Sequence, residues 1–140
     1  MTTYEQHDLR KGADIAARLL DLGSGVVRLV RTLPKDAAAR HISSQIVRSA
    51  TAGGANYEEA RAAESRSDFI HKVSIATKEL RETIYWLKLI EHAKLSAVDG
   101  APLLSEAMQL TAILTASLRT ARENLQQRGN GPQATGTSAR

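Results

Sequence analysis

One helix-length segment constrains this chain more than any other. Ala39, Ile42, Ile46, Ser49, Gly53, Asn56, Ala60 and Ala63 recur at alternating spacings of three and four. That is the spacing of a helix burying one stripe against its neighbours. From Ser49 onward the stripe loses its bulk, and Gly53 and Gly54 stand in what should be helix interior. Two glycines there lower helix propensity by roughly 2 kcal/mol relative to alanine. Close approach of neighbouring backbones would offset that loss. The apolar phase does not shift across the glycines, and Tyr57 stays in register with Val47, Ala50 and Gly54. We therefore read one continuous helix over about 36–63, opened by Asp36 as an N-cap or first-turn acid. Asn56 falls on the stripe, where a buried amide needs partners and sets register at some cost in stability; ligand contact is the alternative role.

The same spacing runs through three further segments. Ile15, Leu19, Leu22, Val26, Leu29 and Leu33 mark a first helix over about 8–32, stopped by Pro34. Leu20, Val27 and Val30 widen its apolar face beyond a single seam, so this helix should meet more than one neighbour. Gly23 and Gly25 mark a bend or a close crossing in it. The turn Glu64–Asp68 provides a capping serine for a third helix over about 68–92, with Phe69, Val73, Ala76, Leu80, Thr83, Leu87 and Ile90 as its seam. Asp99-Gly100 is a turn, and Pro102 opens a fourth helix over about 102–127 through Leu104, Ala107, Thr111, Leu114, Leu118, Ala121 and Leu125. Residues 128–140 have no large apolar side chain and are expected to be a disordered tail. Four amphipathic helices on short connections give an all-α, antiparallel up-down-up-down four-helix bundle of one domain, 1–127.

Composition excludes several functions. With no cysteine there is no disulfide, thiol nucleophile or thiolate metal site. No stretch is apolar for long enough to span a membrane. The opening MTTYEQHDLRKGAD has no apolar region of a secretory signal, so a cytoplasmic protein is expected. Aromatics make up only 4% of the chain, in keeping with a bundle packed by aliphatic residues. The net charge of +4 is uneven. Residues 8–48 hold Arg10, Lys11, Arg18, Arg28, Arg31, Lys35, Arg40 and Arg48 against four acids, which suits a polyanion and equally suits an ordinary solvated helix surface.

Catalytic signals are weak. A bundle di-iron site needs two Glu-x-x-His motifs, and Asp68-Phe-Ile-His71 is a single poor relative, so no metal or other cofactor is expected. Gly53-Gly54 lacks the preceding strand and following Gly-Lys-Ser/Thr of a phosphate loop. Glu79 and Glu82, with Glu58, Glu59 and Glu64 nearby, form the one carboxylate cluster of the kind that acid–base chemistry uses. Lys72, Lys78 and Arg81 beside them favour salt bridges, and a partly buried pair between Glu79 and an arginine of the second helix fits a structural role. Ser43, Ser44, Ser49 and Thr51 are better read as packing residues than as nucleophiles. Trp86 beside Tyr85 suggests a subunit interface; the alternative is a tryptophan lying over the end of the bundle.

Arg48-Ser49, the small run to Gly54-Ala55-Asn56-Tyr57-Glu58-Glu59, Ala63-Glu64-Ser65 with Ser67-Asp68-Phe69, and Lys78-Glu79, Glu82 and Trp86 form a long ordered pattern. It resembles the bacterial four-helix-bundle family of proteins encoded by intervening sequences inside 23S ribosomal RNA genes, over roughly residues 10–125. The resemblance implies a homo-oligomeric ring, commonly a pentamer, without catalytic residues. A related branch is the accessory variability determinant of diversity-generating retroelements, whose members bind a reverse transcriptase and nucleic acid. Three readings follow. The first is a non-enzymatic ring whose surface binds RNA, DNA or protein, with the eight cations of residues 8–48 as phosphate contacts. The second is a reverse-transcriptase accessory or scaffold. The third is an enzyme with a carboxylate site between the second and third helices.

Overall fold

The computed structural model describes residues 1–131, the side chain of Tyr4 excepted. Four helices follow one another: α1 (Thr3–Val30), α2 (Ala37–Arg61), α3 (Arg66–His92) and α4 (Ala101–Gly129). No strand occurs among the described residues. Consecutive helices pack side by side, and α4 returns to touch α1, closing an antiparallel four-helix bundle. No helix among the described residues is long and apolar enough to cross a membrane.

Local chemistry sets the ends of the helices. α1 starts five residues earlier than its apolar repeat suggested, because Thr2 and Glu5 form a reciprocal capping box. Asp36 caps α2, its Oδ1 accepting from the Ala39 amide at 2.9 Å. Ser65 caps α3, its Oγ accepting from the Asp68 amide at 3.1 Å. Pro102 stands in the first turn of α4, where its missing N–H loses nothing. At its far end α4 takes in Arg128 and Gly129, two residues expected in the tail. The tail's remainder over 132–140 lies outside the described residues.

The core matches the three-and-four repeat closely on α1, where Ile15, Leu19, Leu22, Val26 and Leu29 are all buried, as is Leu33 just past the helix end. On α2 and α4 the buried face departs from it. On α2 the buried row runs Ser49, Gly53, Tyr57, Ala60, so Tyr57 and not Asn56 faces the core. A straight helix has 3.6 residues per turn, and a strict 3.5 repeat drifts off the buried face after two heptads. Asn56 is half-buried, and its Nδ2 donates to the Ala52 carbonyl of its own helix at 2.9 Å. On α4 the buried residue is Leu110 and not Thr111, and Leu125 is exposed.

The small residues of α2 do admit both neighbours. A Cβ on Gly53 would stand 3.2 Å from Leu80 Cδ2 and 3.8 Å from the Ala76 carbonyl oxygen, both on α3. A Cβ on Gly54 would stand 3.7 to 3.9 Å from Leu19 of α1, including its backbone. Adjacent glycines thus face different partners, and α2 is the middle layer between α1 and α3. Gly25 plays the same part between α1 and α4, where a Cβ would lie 2.5 Å from Leu103 Cδ2.

Candidate functional site

Two of the five carboxylates singled out in the sequence, Glu79 and Glu82, converge on one arginine, while Glu58 pairs with Arg61 and Glu59 with Lys72. Arg48 of α2 donates to Glu79 at 3.0 Å and also to Glu82, both on α3. Glu82 accepts a further bond, from the Trp86 indole N–H at 3.1 Å. The hydrogen bond from Arg48, and then that from Trp86, hold the Glu82 carboxyl below the usual carboxylate range. Glu82 in turn raises the Arg48 guanidinium, with Glu79 adding to the effect. A general acid at neutral pH needs a carboxyl pushed the other way. This cluster therefore fits an inter-helix clasp. Trp86 completes it: half-buried, it meets His41 of α2 edge-on at 6.1 Å and Tyr85 at 5.0 Å. Tyr85 itself remains 58% exposed.

At the very next residue of each helix, on the buried side, the hydroxyls of Ser49 and Thr83 meet at 2.8 Å in the closed core. Each also reaches a carbonyl of its own helix, Ser49 the Ile46 oxygen at 3.2 Å and Thr83 the Glu79 oxygen at 2.9 Å. The consistent arrangement has Ser49 donating to Thr83, and Thr83 donating along its shorter bond to Glu79. Every polar atom of the pair is thereby satisfied, leaving no activated nucleophile. Among the described residues no three His, Asp or Glu side chains gather as a metal site would require.

The basic residues of the first half do not form one patch. Arg18 donates to Glu106 of α4 and, at 3.3 Å, to Gln109. With Arg48 in the clasp, two of the eight cations are engaged by carboxylates of other helices. Arg28, Arg31, Lys35 and Arg40 are exposed around the α1–α2 connection. Arg10 and Lys11 are exposed near the start of α1, more than 15 residues and so roughly 25 Å along the helix from Arg28.

Two surface features remain. An open groove of about 760 Å³ runs between α1 and α2, lined mainly by apolar groups including Leu20, Gly23, Val27, Gly54 and Ala55, with Arg28 and Arg31 also on its wall. Leu20 is 71% exposed there. The broad apolar stripe of α1 is thus only half covered within one chain. A second groove, of about 430 Å³, lies between α3 and α4 and has a mixed polar and apolar lining, with Lys78, Arg81, Arg119 and Arg122 around it. The sequence reading missed these cations as a group. Their signal is a pair of cations three residues apart on each of two helices, which only antiparallel pairing brings together.

Comparisons with known proteins agree with this architecture. The model of a family described as 23S rRNA-intervening sequence protein matches residues 12–116. Comparison with curated proteins returned no match. Among solved structures, the chain is similar to a protein of unknown function from the S23 ribosomal protein family of Bacteroides thetaiotaomicron. The two share 31% identity at a TM-score of 0.70, over 78% of this chain and 98% of the other.

Proposed function

Because this chain belongs to the 23S rRNA-intervening sequence protein family, we propose that it is a non-enzymatic assembly module: a bundle that closes into a homopentameric ring and binds nucleic acid on its charged surface. The observation carrying this reading is the uncovered apolar groove between α1 and α2, with Leu20 standing 71% exposed beside it. Contiguous exposed apolar surface of this kind is characteristic of interaction sites. A second copy seated there would bury Leu20 and Val27, each worth about 1.5–3 kcal/mol when fully removed from water. The polar clusters support the absence of catalysis, since Arg48 with its carboxylates and Ser49 with Thr83 are mutually satisfied across α2 and α3.

Light scattering on the purified protein tests the ring. A pentameric mass is expected, against 15.2 kDa for one chain. Leu20→Glu should lower that mass while leaving the helical content unchanged, because the side chain lies outside the core. A monomeric wild type removes the assembly reading. Nucleic-acid binding is tested by filter retention at about 50 mM salt and upward; an absent signal, or one without salt dependence, removes that half.

A further inference from the structure

The α3–α4 groove carries more chemistry than a solvated helix surface needs. Lys78 and Arg81 project from α3, Arg119 and Arg122 from α4, and all four are exposed. Glu123 is the single acid lining the groove, and none of the four cations has an ion pair among the described residues. Exposed cations elsewhere, such as Arg28, Arg31 and Arg40, also stand without a carboxylate partner among the described residues. What sets this groove apart is that four of them gather on two facing helices. Four like charges gathered without partners repel one another, an arrangement that an anionic ligand would relieve.

The uncharged lining supplies neutral donors. Arg122 donates to Ser74 Oγ across the groove at 3.2 Å, which orients its guanidinium and leaves further N–H groups for another acceptor. Ser74 keeps its own hydroxyl hydrogen and Gln126 adds an amide, whereas Thr115 donates to the Thr111 carbonyl of its own helix at 2.7 Å and Thr77 and Leu118 are buried. Arginine forks, a lysine and hydroxyls are the groups that bind phosphate oxygens. No aromatic side chain lines the groove, so nothing there stacks on a base.

From these observations we infer that the α3–α4 groove is a binding site for the phosphodiester backbone of a nucleic acid, contacted without regard to base sequence. The inference rests on the nucleic-acid reading above and moves its centre from the α1–α2 end to the opposite pair of helices. The groove's length fits. From Ser74 to Arg81 α3 advances about 10 Å, which spans roughly three phosphates of a B-form strand at about 3.4 Å of axial rise each. Three phosphate contacts predict a logarithmic salt slope near −2.7 for duplex DNA, or about a fortyfold loss of affinity between about 50 and 200 mM salt.

The test is fluorescence anisotropy with labelled oligothymidylate and a labelled DNA duplex of equal length, using three full-length proteins. These are the wild type, Arg81→Glu with Arg119→Glu, and the loop-end pair Lys35→Glu with Arg40→Glu, which lines neither groove. The two variants change net charge equally and alter only exposed side chains, so circular dichroism should find both folded. Should the groove reversal disturb the fold, Arg81→Gln with Arg119→Gln serves instead. The groove variant should lose at least tenfold in affinity and flatten the salt slope by 1 to 2, whereas the loop-end variant should stay within about threefold. Changing the base sequence of the probe should alter affinity by less than about threefold. A wild type that binds neither probe defeats the nucleic-acid reading itself. Binding that survives the groove reversal and vanishes with the loop-end reversal defeats the groove alone. Competition by poly-glutamate as effective as that by unlabelled oligonucleotide would also overturn it, since the site would then read charge and not phosphate.

Discussion

Replacing the buried hydroxyls of Ser49 and Thr83 singly and together should give effects that fail to add. In Ser49→Ala the small side chain leaves almost no cavity, and Thr83 keeps its 2.9 Å bond to the Glu79 carbonyl. The loss is one ordinary hydrogen bond, about 0.5–1.5 kcal/mol. Thr83→Val preserves shape but removes the oxygen that Ser49 meets at 2.8 Å, leaving the serine only its 3.2 Å contact with Ile46. A buried hydroxyl left so poorly matched costs about 1–3 kcal/mol. In the double variant both polar groups are gone and an apolar surface of similar shape replaces them. Its stability should lie within about 0.5 kcal/mol of the wild type. The coupling term is then about 1–4 kcal/mol, above the few tenths within which independent sites add. Urea unfolding followed by far-ultraviolet ellipticity, at one fixed protein concentration because assembly is expected, measures all four proteins. A double variant as unstable as the summed singles would refute the reasoning: the hydroxyls would then act separately.

The Arg48 clasp and the glycines make further predictions. Glu82 is held below the ordinary carboxylate range by Arg48 and then Trp86, so it binds fewer protons folded than unfolded. Its contribution is present above the unfolded pKa of about 4.5 and fades as the pH falls through the lower folded value. Glu82→Gln should accordingly melt below the wild type at about pH 6, with the gap closing towards pH 3; a gap independent of pH contradicts the pairing. Gly54→Ala places its Cβ at ordinary contact distance from Leu19, 3.7 Å, and gains helix propensity. It should raise stability by up to about 1 kcal/mol, roughly 3 °C in the thermal midpoint, and a fall would show that the α1–α2 approach is tighter than it stands here.

Much of the fold was legible because it depends on patterns within single segments. The alternating spacing located the large core residues of α1 but not Ala16, and Asp36 identified itself as a cap. Turn 64–68 offered a capping serine without fixing that Ser65 is the cap, which starts the helix two residues before Asp68. The small run on α2 predicted close neighbours, and Leu80 and Leu19 are there. Asn56 was misplaced because a 3.5-residue repeat, extrapolated across a row of small side chains, has no bulky residue to correct its drift. Tyr57, four residues beyond Gly53, was the correcting signal. The capping box of Thr2 and Glu5 was readable as T-x-x-E and set the start of α1. The candidate site was less legible. Arg18 looked like the other cations of the first half, because its carboxylate partner lies 88 residues away. The pairing of Glu79 with an arginine of the second helix was expected, but not that Arg48 supplies it and takes Glu82 as well. The four cations of the α3–α4 groove are unremarkable in sequence and become a group only through helix pairing.

The claim that α2 is lined with small residues so that α1 and α3 can both lie against it is most directly tested at Gly53. Valine is the better helix former, so propensity alone predicts that Gly53→Val is stabilised by a few tenths of a kcal/mol. Packing predicts the opposite sign, because even a Cβ would stand 3.2 Å from a Leu80 side chain that is itself fully buried. Overfilling such a site costs about 1–3 kcal/mol. Thermal unfolding of Gly53→Val should therefore show a midpoint lowered by roughly 3–10 °C. A midpoint at or above that of the wild type would mean that α3 does not rest on α2 at this glycine.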